Sequence, residues 1–287
     1  MFETILVPID DSPGSQRAFE AAVTLAKQYG SAVHVLAVVD EHGPSDGEWD
    51  YDGDSPAAAF LDEQSDAADG VDVTPAVREG VVHDEILDYA DESGADLVVM
   101  GTHGRTGVRR YLLGSVTEKV VRLSDVPVLS VKADAEPGAV AFEDILLPTD
   151  GSTGAEAAIE PTAALAGETD ATVHVLSAVD TRSLGIDVGS TVIIDELESV
   201  AENAVAAASD RLYEEGVEAV KTAVAHGIPY QVILQAIDDN DVDLVVIGTH
   251  GRTGIDRYLL GSVTEKLVRT APVPVLTVRS PGAGDEA

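Results

Sequence analysis

The chain has 287 residues, 45% of them apolar and 24% charged, and its 17 Lys and Arg against 52 Asp and Glu give a formal net charge of −35. That length suits one large domain or two compact ones, and the apolar share excludes a chain disordered throughout. With no cysteine there is no disulfide frame, zinc–thiolate centre, iron–sulfur cluster or cysteine nucleophile, so any chemistry must come from oxygen, nitrogen and backbone amides.

The start, Met1-Phe2-Glu3-Thr4, has no basic region, and Asp10 interrupts the first apolar run. Neither a signal peptide nor a membrane span is expected there, and the expectation is a soluble, cytoplasmic protein. Thr4 to Ile9 reads as the first strand. Ser12-Pro13 then supplies a cap and a first-turn proline, Ala18, Ala22, Leu25 and Ala26 recur at helical spacing, and Gly30 stops the helix. Further Val- and Ile-rich runs predict strands at Ala32 to Val39, Val71 to Val77, Leu97 to Met100 and Val126 to Val131. Continuous apolar strands separated by helices predict a parallel sheet covered on both faces.

The second half repeats the first. Ile5 to Ser12 (ILVPIDDS) recurs as Ile145 to Ser152 (ILLPTDGS), and His34 to Asp40 (HVLAVVD) recurs as His174 to Asp180 (HVLSAVD), both at an offset of 140. Asp96 to Val131 matches Asp243 to Val278 at an offset of 147, with 28 of 36 positions identical (36 minus 8 differences). Ala133 to Ala141 (ADAEPGAVA) lacks periodicity and is rich in turn formers, so it reads as a linker. The expected organisation is two tandem doubly wound α/β domains, residues 1–134 and 142–280, each with a five-stranded sheet. Such sheets bind ligands at the carboxyl ends of strands where strand order reverses.

After the fourth strand come Gly101-Thr102-His103-Gly104, nine residues, and Gly114-Ser115-Val116-Thr117; the copy is Gly248-Thr249-His250-Gly251, nine residues, and Gly261-Ser262-Val263-Thr264. Glycines at a strand end let backbone amides approach an anion, and Gly-Ser opening a helix puts unpaired amides and a positive dipole end beside it. Ser115 can add a donor, and Arg105, matched by Arg252, lies close enough in sequence to add charge. Plain turns would use the same glycines. His103 and His250 could touch phosphate, act as acid or base, or brace the loop. His34 and His174, on second strands, read as packing or hydrogen-bonding residues. Asp11 is replaced by Gly151 in the copy, so of the first acidic pair only Asp10 and its partner Asp150 recur.

The G-x2-G-x9-G-S spacing, the P-x-D ending of the first strand and the closing P-V-L-x-V strand resemble the universal stress protein family, in its ATP-binding branch. The resemblance covers nearly the whole chain twice. It implies a sheet of order 3-2-1-4-5, with ATP held between strands one and four. Carried onto these residues, Asp10 and Asp150 would face the ribose or metal-bound phosphates. Val38 and Ala178 would offer backbone to adenine, and Met100 and Ile247 would flank it. Gly101, Gly104, Gly114 and Ser115 would hold phosphates in one site, and Gly248, Gly251, Gly261 and Ser262 in the other. Magnesium is expected because ATP brings it.

No G-x-x-x-x-G-K-[ST] and no G-x-G-x-x-G after the first strand occurs, which excludes a P-loop and makes a dinucleotide site unexpected. Three readings remain: an ATP-dependent regulatory or stress-response protein, a slow ATP hydrolase or phosphotransferase using Asp10 or His103 and their copies, and an interaction module that keeps the loops as turns. Acidity is global. With 27 acids and 9 bases before Pro137 and 25 and 8 from there on, the halves carry −18 and −17. Such a surface repels nucleic-acid phosphates and anionic lipid, so neither is an expected partner. Only 5 of the 17 basic residues are Lys, and with abundant Asp this resembles proteins of halophiles. Each closing strand ends its own sheet, and the expectation is that the two pair within the chain as a pseudo-dimer, with homodimerisation also open.

Overall fold

Ser12 closes the first turn of a helix in the way its sequence position predicts, its Oγ accepting the Ser15 N–H at 3.2 Å. The computed structural model describes residues 2–10, 12–40, 68, 70–102, 113–134, 140, 142–180, 191–251 and 260–280. The chain divides into two compact units between Val140 and Ala141. In the first, β1 (Thr4–Ile9) leads into α1 (Pro13–Tyr29), which Gly30 ends in a left-handed conformation (φ 72°). β2 (Ala32–Asp40), β3 (Val73–Gly80), α2 (Val82–Ser93), β4 (Leu97–Gly101), α3 (Ser115–Leu123) and β5 (Val128–Val131) follow. The described pairs are parallel, in the order β3-β2-β1-β4-β5.

The second unit contains β6 (Asp144–Pro148), α4 (Thr153–Glu156), α5 (Ile159–Thr169), β7 (Thr172–Val179), α6 (Thr191–Glu214), β8 (Val220–His226), α7 (Pro229–Asp239), β9 (Leu244–Gly248), α8 (Ser262–Thr270) and β10 (Val275–Val278). Its sheet repeats the order as β8-β7-β6-β9-β10, again parallel. The fold is the doubly wound α/β class in both units. The inner strands are buried on both faces, with Ile5, Leu6, Leu97, Ile145, Leu146 and Leu147 sealed from water. Burying each such side chain contributes about 1.5–3 kcal/mol.

Two strands differ from the sequence reading by two or more residues at a boundary. β3 begins at Val73 and continues through Arg78 and Glu79 to Gly80, because its partner β2 continues to Asp40 in register with it. An outer strand of the unit's sheet tolerates such charges, so hydropathy hid the extension. β5 begins at Val128 rather than Val126, and Pro127, which has no N–H to give, contributes only its carbonyl, to Val98 N at 3.0 Å. The single helix α1 has two pieces as its counterpart. Pro161 stands where the first copy has Ala21, and a proline there removes a helical N–H and crowds the preceding turn, so the helix is interrupted at Ala157 and Ala158.

Candidate functional site

Parallel pairing brings the carboxyl ends of β1, β2 and β4 to one edge in the first unit and those of β6, β7 and β9 to one edge in the second, and strand order reverses between β1 and β4 and between β6 and β9, the place where such sheets bind ligands. Asp10 and Asp150 follow β1 and β6 there. Asp10 Oδ1 accepts the Ser12 N–H at 3.1 Å, and the Asp10 carbonyl accepts the Ser15 hydroxyl. Asp150 Oδ1 accepts both the N–H and the hydroxyl of Ser152, at 3.0 and 2.6 Å. Each carboxylate is thus oriented by its own turn at a helix start. The other oxygen of Asp150 faces Gly251: a Cβ on that glycine would lie 2.7 Å from Asp150 Oδ2. Asp150 and Gly251, 101 positions apart in the chain, are therefore neighbours in the fold.

Gly101 and Gly248 have no room for a side chain, because backbone stands against them. A Cβ on Gly101 would sit 2.5 Å from the carbonyl carbon of Gly14, and one on Gly248 would sit 2.1 Å from the carbonyl oxygen of Gly154. A Cβ on Gly154 would in turn meet the His250 carbonyl at 2.0 Å. Backbone meets backbone where the first helix crosses the end of the fourth strand. Gly14 and Gly154, which the sequence analysis missed, complete this crossing. Their only signal was a glycine inside a helical first turn in both copies.

Gly114 and Gly261 are the N-caps of α3 and α8. Their N–H groups are already given, to the carbonyls of Thr102 and Thr249, both at 2.9 Å. The first-turn amides beginning at Ser115 and Ser262 have no intrahelical acceptor and are the donors each helix start would offer to an anion. Both serines are exposed. Thr117 and Thr264, one turn in, are buried, and their hydroxyls donate to the carbonyls of Gly101 and Gly248, each at 2.8 Å. Sequence reading quoted these threonines and gave them no role, because only folding sets them against a carbonyl 16 residues away.

Val38 and Ala178 are half-buried near the ends of β2 and β7, opposite Arg78 and Ala225. Met100 and Ile247 are buried, each immediately before the glycine that ends its strand. His250 Nδ1 lies 3.0 Å from Thr249 Oγ1, while its Nε2 is sealed from water with no hydrogen-bond partner among the described residues. His34 and His174 point to other partners: His34 Nδ1 lies 3.0 Å from the Tyr89 hydroxyl, and His174 Nε2 lies 2.7 Å from Asp144 Oδ1. His103, Gly104, Arg105 and Arg252 lie outside the described residues. No cluster of three or more His, Asp or Glu able to hold a metal occurs among the described residues. Asp10 and Asp150 can each supply one carboxylate, the donor set suited to a magnesium ion carried mainly by phosphate oxygens.

A family model described as the universal stress protein family matches residues 1–132 and again 141–279. The chain belongs to the universal stress protein family. A universal stress protein of Methanocaldococcus jannaschii is 35% identical over 146 residues, covering 46% of this chain and 83% of the relative. One from Synechocystis is 37% identical over 135 residues, covering 46% of this chain and 86% of the relative. Each of these relatives aligns with about half of the tandem chain. Among solved structures, a universal stress protein from Archaeoglobus fulgidus superposes with a TM-score of 0.67 at 23% identity, over 96% of this chain and 98% of the other. A Pseudomonas aeruginosa protein described as functionally unknown reaches 0.71 at 22% identity, over 98% and 94%. These two likenesses concern the fold.

Proposed function

We propose that this universal stress protein binds one ATP in each half and acts as a nucleotide-dependent regulatory or stress-response protein. The observation that carries the reading is a helix N-terminus held at the reversal point of a parallel sheet, on the same edge as an aspartate, in both halves. Helix dipole and unpaired amides there favour phosphate. In this reading the first-turn amides, with Ser115 and Ser262, hold phosphates, and Asp10 and Asp150 serve the ribose or a phosphate-bound Mg2+. Val38, Met100, Ala178 and Ile247 surround the base. Gly104, Arg105, Gly251 and Arg252 complete the loops. The nucleotide supplies the charge and the metal, and the chain orients them.

Domains at 1–134 and 142–280, a cytoplasmic location, a halophilic origin and pairing of the two closing strands as an internal pseudo-dimer belong to the same proposal. No described helix is long and apolar enough to cross a membrane.

Calorimetry of the full chain in molar KCl with MgATP tests the central claim. About 31 non-hydrogen atoms at roughly 0.3 kcal/mol each correspond to dissociation constants near or below micromolar. Two sites per chain are expected, and no heat of binding would overturn the reading. Phosphate release over many turnovers would replace regulation by hydrolysis.

A further inference from the structure

The carboxyl edge of a parallel sheet ends in backbone carbonyls, whose negative ends oppose an approaching triphosphate. In both units three such carbonyls, at or one residue beyond the ends of the two strands flanking the helix, are each occupied by a donor. Thr117 Oγ1 donates to Gly101 O at 2.8 Å, Gly114 N to Thr102 O at 2.9 Å, and Thr102 N to Val131 O at 3.0 Å. The second unit repeats the set: Thr264 Oγ1 to Gly248 O at 2.8 Å, Gly261 N to Thr249 O at 2.9 Å, and Thr249 N to Val278 O at 2.9 Å. Two donors of each three are main-chain amides, available to any non-proline residue. The third is a side chain, so the first carbonyl is quenched only where the sequence places a hydroxyl.

Thr117 and Thr264 are each 3% exposed, and a hydroxyl so buried requires a partner. We propose that these two threonines are positioning residues that set the charge tolerance of the two nucleotide sites. Each hydroxyl pins the first turn of its helix to the end of the fourth strand, so the helix amides keep their aim at the anion. It also takes up the partial negative charge of the glycine carbonyl at the strand end, which would otherwise oppose the same anion. The inference rests on the proposed nucleotide sites and adds to them a side chain that need not touch the ligand.

A purely architectural threonine would affect all ligands alike, whereas a charge-quenching one penalises ligands in proportion to their negative charge. The test compares MgATP with AMP by calorimetry on the full chain in molar KCl, for wild type, the Thr117→Val/Thr264→Val pair and the Thr117→Ser/Thr264→Ser pair. Valine keeps the shape and removes the donor; serine keeps the donor. The valine pair is expected to weaken ATP about tenfold and AMP less than about threefold, with the serine pair within about twofold of wild type for both. Equal losses on ATP and AMP, or no loss on ATP, would overturn the proposal. Should the valine pair not fold, the Thr117→Ala/Thr264→Ala pair is read by the same ratio. If the wild type binds no ATP, the ATP reading fails by itself, and inorganic triphosphate becomes the probe. A tenfold loss in the valine pair then keeps the threonine role, and the lack of such a loss, or of any binding to wild type, removes it.

Discussion

Replacing Gly251 by valine would drive a side chain into the carboxylate of Asp150, since even a Cβ would lie 2.7 Å from Oδ2. Loss of one of the two proposed ATP sites with little change in melting temperature is expected, because Gly251 itself is exposed; calorimetric stoichiometry reads it. Gly248→Ala should behave oppositely, as its Cβ would lie 2.1 Å from the Gly154 carbonyl, in rigid backbone. Overpacking of this kind costs about 1–3 kcal/mol or more, so the denaturation midpoint should fall, and an unchanged midpoint would show that the helix crossing is not the reason for glycine. Asp243 makes a further prediction. Its Oδ2 accepts the N–H groups of Glu143 and Asp144 at 2.7 and 3.2 Å, an arrangement the first unit shares through Asp96 and Glu3. Burial raises the Asp243 pKa, the two backbone N–H groups partly offset that, and neighbouring Asp144 and Glu143 raise it again. A raised carboxyl contributes stability that is fully present below its ordinary value near 4 and is lost as pH rises through its folded value. Relative to Asp243→Asn, the wild type should therefore lose stability as pH rises from about 4 toward neutrality, and parallel stability-versus-pH curves would contradict this.

Helix starts show how one residue can serve two elements. Ser152 Oγ accepts the Ala155 N–H at 3.2 Å while donating to Asp150 at 2.6 Å. Ser12 caps α1 through the same acceptor bond, from Ser15 N. Ser152→Ala should cost about 1–2 kcal/mol, the upper part of the range for a lost N-cap, because a charge-assisted bond goes with the cap. It should also weaken ATP binding in the second half; a urea midpoint equal to wild type would refute the capping role. The cap, the proline and the terminating glycine of α1 were all legible, because each acts through its own backbone within one turn. The interruption between α4 and α5 was less so. Pro161 is visible in the sequence, but the repeat implied a continuous helix, and whether a proline kinks, shortens or splits a helix depends on what packs around it. The reach of β3 was likewise invisible, since the pairing of Val38 with Arg78, Val39 with Glu79 and Asp40 with Gly80 is a choice of register between strands.

The charge of −35 acts on the whole chain at once. At about 0.1 M salt the screening length is near 10 Å and like charges across the surface repel; at about 1 M it is near 3 Å and most of that repulsion is gone. Thermal stability should therefore rise steeply with salt, and NaCl and KCl should act alike, because screening needs no specific ion site. A melting temperature equal in about 0.1 M and 2 M salt, or a large difference between the two salts, would contradict this. The same screening is why the proposed nucleotide binding is best measured in molar salt, where an acidic protein opposes a triphosphate least.

The doubling of the fold, its α/β class and the helix openings at Gly114 and Gly261 were all legible in the sequence alone. They rest on periodicity, on local turn chemistry and on an internal copy, which need no knowledge of distant contacts. Tertiary structure decided what the glycines and threonines of the motif do. Gly101 and Gly248 admit the first helix, and Gly114 and Gly261 give their amides to the chain. Thr117 and Thr264 turn their hydroxyls onto strand ends. These roles are relations between residues many positions apart, set when the parallel strands fix their register and the helices close on their edge, and no stretch of sequence read by itself contains them.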